Sequence, residues 1–160
     1  MSLFAFTTKF GFAATLATSI TLQGCGASFE PATPPGFIEL EEPGSYDYRA
    51  TTADGLVIAA RELDNPSKGE LAFWSRAIEN QLRNGSGYAL LEIREIESKD
   101  GVPGAELRFG HDQGNTPHLY YVALFATSKK LCLVEVGGPK DTVVKNAARV
   151  EWAISEFKVD

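Results

Sequence analysis

Two stretches of the chain repeat their apolar residues at helical spacing. Leu71, Trp74, Ile78 and Leu82 recur every three or four residues, which places them on one face of a helix over 70–84, with Gly85 as its C-terminal cap. Val143, Ala147, Val150, Ile154 and Phe157 do the same over 141–157, with Asp141 in the N-cap position. The remaining apolar runs are short and bounded by turn residues. They predict strands over 37–40, 46–51, 56–63, 88–97, 105–110, 119–127 and 131–137. Ala53-Asp54-Gly55, Lys99-Asp100-Gly101 and Ser128-Lys129-Lys130 join neighbouring runs at hairpin distance, so the sheet is expected to be mostly antiparallel.

The faces of these strands differ. Ala105, Leu107 and Phe109 alternate with Glu106 and Arg108, as in a strand with one wet face, whereas 119–126 and most of 131–136 are apolar on both sides. A central strand covered twice needs a layer above and a layer below. With two amphipathic helices available, the economical arrangement is one helix on each face. The expected fold is therefore α+β: an α/β/α sandwich around an antiparallel sheet, in the order three strands, helix, four strands, helix. Ile93 and Ile96 fall out of step, which predicts a bulge near Arg94-Glu95.

The first 35 residues follow another pattern. Lys9 is the only charge before an uncharged stretch from Phe10 to Phe29, whose apolar part has the length of a signal-peptide core and is too short for a membrane span. It ends in Leu22-Gln23-Gly24-Cys25, which resembles the lipobox of bacterial lipoproteins, although Gln23 stands where a small residue is usual. The expectation is a signal peptide over 1–24, cleavage between Gly24 and Cys25, and fatty chains on Cys25, since stable anchoring takes two or more chains. Residues 25–35, small and Pro-rich, read as a tether, and 36–160 as one globular domain. Gly26 is not Asp, so under the enteric sorting pattern the outer membrane, facing the periplasm, is the expected address.

The order of elements resembles the Mog1/PsbP-like fold, which includes LpqN-like and DcrB-like bacterial lipoproteins. The likeness covers roughly 36–159. It rests on Gly36-Phe37 with Pro43, on Asp54-Gly55 before a long strand, on Phe73-Trp74 in the first helix and on Trp152 and Phe157 in the last. The resemblance implies an accessory or binding role and transfers no binding residue. A plastid branch is disfavoured, because a transit peptide would be rich in Arg and Ser.

Candidate chemistry is sparse. The net charge of −6, with no Lys/Arg cluster, argues against nucleic acid as a partner. With its thiol acylated, Cys25 is unable to pair with Cys132, which reads as a small buried side chain in an apolar run. His111 and His118 read as surface histidines of a loop around Asp112 and Asn115, in no metal-ligand spacing. No nucleophile elbow or phosphate loop is present, and Gly137-Gly138-Pro139-Lys140 reads as a strand-to-helix turn. Neither a cofactor nor a metal nor a catalytic residue is expected. Phe73 and Trp152, off the apolar stripes of their helices, are the candidate contacts to an envelope protein. The alternative is an envelope hydrolase using His111, Asp112 and Glu135.

Overall fold

The computed structural model describes residues 27–160, so Gly24 and Cys25 lie outside the described residues. The elements are β1 (Phe29–Glu30), β2 (Ile38–Glu39), β3 (Tyr48–Thr51), β4 (Val57–Asp64), α1 (Leu71–Asn80), β5 (Ala89–Glu97), β6 (Pro103–Gln113), β7 (Thr116–Ala126), β8 (Lys130–Pro139), α2 (Lys140–Lys145), α3 (Ala147–Ser155) and β9 (Lys158–Val159). Strands β2 to β8 form one antiparallel sheet in the order β2-β3-β4-β8-β7-β6-β5, and β1 pairs with β9. The sandwich expected from the strand faces is present, with one helical layer on each side of the sheet.

Strand alternation decides which residues face which layer. Cys132, Val134 and Val136 of β8, with Ile58 and Ala60 of β4 and Phe125 of β7, pack against Val143, Val150, Ile154 and Phe157 of the α2–α3 layer. Leu131 and Leu133 of β8, with Val122 and Leu124 of β7, turn the other way, towards Leu71, Trp74, Ile78 and Leu82. Leu107 and Phe109 of β6 extend that second core. The two layers are offset. Helix α1 lies over the β5–β8 half of its face, and α3 over the β3–β8 half of the opposite face. The other half of the α1 face has no helix over it, whereas the flank of α3 reaches β5 and β6 on its own face.

Several sequence expectations are corrected. Helix α1 ends in one π-helical turn, Gln81–Gly85, so the left-handed exit falls on Gly87 (φ 71°) rather than Gly85. The last helix is broken at Asn146, whose buried amide donates to the Thr142 carbonyl (2.9 Å) and accepts from Arg149 (2.9 Å). Pro139 precedes its first turn, and Asp141 stands inside that turn instead of capping it. The bulge lies between Leu90 and Glu92. Ile93 and Ile96 are out of step because they face opposite sides of the sheet. The described part of the stretch expected as a tether, from Ala27, packs on the domain: Phe29 and Pro34 are buried, and the Phe29 ring stacks on Phe157 at 5.1 Å.

Candidate functional site

The helix-free half of the α1 face is a groove. Alternation sends Arg49 of β3, Val57, Ala59 and Arg61 of β4, Glu135 and Gly137 of β8 and Tyr120 of β7 to this side, and the ladders set Arg49 and Glu135 against Ala59 from its two flanks. Tyr46 joins from the loop before β3, which is tied down where Asp47 N–H donates to the Ala60 carbonyl (3.0 Å). All of these except Arg61 line a cavity of about 260 Å³. Tyr120 and Gly137 also line a second cavity of about 410 Å³, with Tyr88, His111, Gln113 and His118, so the two are parts of one groove.

Glu135 is 5 % exposed. The Tyr46 hydroxyl donates to its Oε2 (3.0 Å), the Tyr120 hydroxyl donates to the same oxygen, and Arg61 Nη2 lies 2.7 Å from Oε1. The Arg61 guanidinium also lies over the Tyr46 ring, 5.3 Å from its centroid. Burial first, and then the negative charge of Glu135, push both phenols above their ordinary value, Tyr120 far the more. They therefore stay protonated and act as fixed donors. Arg49 has no ion pair among the described residues, and its Nε is buried without a partner. The groove thus holds one carboxylate already occupied and one guanidinium still open.

The β5–β6 half of the opposite face, under the flank of α3, holds a second buried carboxylate, Glu106, 2 % exposed. Arg108 Nη2 lies 3.0 Å from it and Arg94 Nη1 3.5 Å. Both arginines also reach Glu151 of α3, at 3.6 and 3.3 Å. Arg108 lies over Tyr121, 4.7 Å from the ring centroid.

The residues singled out in the sequence are distributed as follows. Phe73 is 60 % exposed on α1 and Trp152 40 % exposed on α3, so they lie on opposite layers and share no surface. His111 and His118 are not in a loop. They face each other across the β6–β7 ladder, and the Tyr88 ring stacks on His111 at 4.6 Å. Asp112, next to His111 in the strand, points to the other face, so His111, Asp112 and Glu135 are not assembled. Arg49 and Arg61 escaped the sequence reading, because an Arg in a short strand looks like an ordinary wet-face residue. Glu135 carried a visible signal as the lone charge in an apolar run. Among the described residues no three His, Cys, Asp or Glu side chains cluster as a metal ion requires, and no helix is long and apolar enough to cross a membrane.

No protein-family model and no curated protein sequence matches the chain. Solved structures do. LpqN of Mycobacterium tuberculosis, described as involved in cell envelope biogenesis, superposes with a TM-score of 0.68 at 11 % identity, over 86 % of this chain and 87 % of its own. The cyanobacterial PsbP protein CyanoP of Synechocystis sp. PCC 6803 gives 0.60 at 15 % identity, over 83 % and 87 %. The Ran-binding protein Mog1p of Saccharomyces cerevisiae gives 0.58 at 13 % identity, over 82 % and 90 %.

Proposed function

We propose that this chain, which has the Mog1/PsbP-like fold, is a lipid-anchored protein of the bacterial cell envelope whose domain binds a ligand or protein without converting it. The anchor rests on the uncharged leader and on Leu22-Gln23-Gly24-Cys25, and the outer-membrane address on Gly26. The description of LpqN agrees with an envelope setting.

The binding role is carried by the state of the Glu135 groove. Two phenols and Arg61 occupy the carboxylate, which makes it a fixed post and not a free base. Beside it the Arg49 guanidinium is open, and a guanidinium pairs by preference with a two-oxygen anion. A small molecule or a peptide side chain bearing a carboxylate or phosphate fits this arrangement. Phe73 and Trp152 supply exposed aromatic contacts for protein partners, one on each layer.

The anchor is tested by acyl labelling and membrane partitioning of the full chain. Both are expected to be lost in Cys25→Ala, and unchanged partitioning would refute the anchor. For the groove, a panel of small carboxylates and phosphates is titrated against the wild type and Arg49→Gln. Saturable binding that weakens about tenfold in the variant, the size of one charge-assisted pair, supports the reading. Wild-type binding of none of them, or equal binding by both proteins, refutes it. The hydrolase alternative is separated by a hydrolase panel in which a signal lost in His111→Ala would favour an enzyme.

A further inference from the structure

The described chain begins fastened to the end of the domain away from the β6–β7 hairpin, on the face that the groove does not occupy. Ser28 donates twice to the Glu62 carboxylate, from its N–H (2.7 Å) and its hydroxyl (2.8 Å), and its carbonyl accepts from Asp160 N–H (2.9 Å). Phe29 pairs with Val159 and Glu30 with Lys158, while the Phe29 ring is buried against Phe157. This clasp sits where Glu62 meets Cys132 in the ladder, near the start of β8. The groove reaches Gly137, Gly138 and Pro139 at the end of β8. From Cys132 at about 3.4 Å per residue, Glu135 lies roughly 10 Å along the strand and Pro139 roughly 24 Å. Clasp and groove are also on opposite faces, because Cys132 points into the α3 layer and Glu135 into the α1 side.

We propose that the anchored domain stands on the bilayer clasp end down, with the Glu135 groove and the β6–β7 hairpin turned away, so that the ligand arrives from the aqueous envelope space and not from the anchoring leaflet. The inference rests on acylation of Cys25. Two residues, Gly26 and Ala27, separate Cys25 from Ser28, a reach over three steps of at most about 11 Å at roughly 3.6 Å per residue. A spacer that short holds the clasp against the headgroups and leaves the far end beyond their reach. Charge adds little to this orientation. Lys99, Lys130 and Lys158 at the clasp end are paired with Glu156, Glu62 and Glu30, which leaves Lys68 and Lys129 as exposed unpaired cations there among the described residues. The covalent tether sets the geometry.

The test uses the full chain, processed by the cell, in vesicles that carry acceptor-labelled lipid. In a Cys132→Ala background a single donor dye is placed at Lys129→Cys, beside the clasp, or at Asn115→Cys, on the far hairpin. Energy transfer is expected to be several-fold greater from position 129 than from 115. Equal or reversed transfer overturns the orientation. Amine labelling of the unmutated protein repeats the measurement should Cys132→Ala fold poorly: vesicles should shield Lys129 relative to detergent and leave Lys140 as reactive as before, and equal shielding counts against the proposal. Flotation is scored separately. Protein that floats with vesicles yet transfers equally refutes the orientation alone, whereas protein that fails to float refutes the anchor.

Discussion

Two glutamates are buried on opposite faces of the same sheet, and their surroundings differ in one respect. Around Glu106 there are three carboxylates, with Glu92 and Glu151, to two guanidiniums, and Glu151 comes from a helix that closes over the cluster. Around Glu135 there is one carboxylate to two guanidiniums, and the closing groups are neutral phenols from a loop and a strand. The first set is used up in holding α3 to β5 and β6. The second keeps a positive charge unspent and no helix above it. A buried carboxylate is thus not by itself a sign of a site. The sign is the sum of charge around it and the presence or absence of an element that covers it.

The comparison breaks most visibly under substitution of the two acids. Glu106→Gln leaves Arg108, 18 % exposed, without its closest counter-charge, and a buried pair broken in this way costs about 3–5 kcal/mol. Glu135→Gln is expected to cost about 1–2 kcal/mol, because Arg61 is 36 % exposed and turns to water. Denaturant unfolding of both variants measures the gap, and equal losses would erase the distinction. The next effect concerns glycines on the two sides. A Cβ on Gly104 would lie 2.6 Å from the Phe125 ring and 2.8 Å from the Leu124 carbonyl, so Gly104→Ala should cost about 1–3 kcal/mol. On Gly137 it meets only Tyr120, at 3.6 Å, so Gly137→Ala should stay within about 0.5 kcal/mol while narrowing the groove.

Acid acts on the clasp through Glu62. Hydrogen bonds first from Lys130 and then from the Ser28 N–H bring the Glu62 carboxyl from 4.5 down to about 2. A folded value below the unfolded one gives stability that is complete above pH 4.5 and drains away as pH falls towards 2. Glu62→Gln should flatten that slope in unfolding midpoints measured across this range. The smallest effect on stability is expected from Arg49→Gln, within about 0.5 kcal/mol by urea titration, since no described partner is lost. A larger loss would mean that Arg49 serves the fold.

Much of this architecture could be read from the chain. Apolar residues on both faces of 119–126 and 131–136 demanded two layers, and the stripe from Leu71 to Leu82 supplied one of them. What stayed hidden depended on the offset between the layers. Ile93 and Ile96 mimic a bulge because Ile96 packs on the α3 core while Ile93 stands half exposed on the other face. Asn146 reads as one more polar position in a periodic helix, and its role as a breaker appears only once its amide is buried against Thr142. The two-residue strand at Phe29 has no sequence signature, since pairing with Val159 lies 130 positions away. Glu135 was visible as a misfit in an apolar run, but Arg49 and Arg61 meet it only through the pairing of β3, β4 and β8.

Cys132 acquires a use from its position. Its sulfur lies 3.8 Å from both the hydroxyl and the carbonyl oxygen of Ser28, it is fully buried, and burial pushes the thiol up. An alkylating reagent gains access only when the strand carrying Phe29 lifts away. The rate at which this sulfur is modified is therefore a clock for the detachment of the N-terminal segment, readable in intact cells without adding any label to the protein.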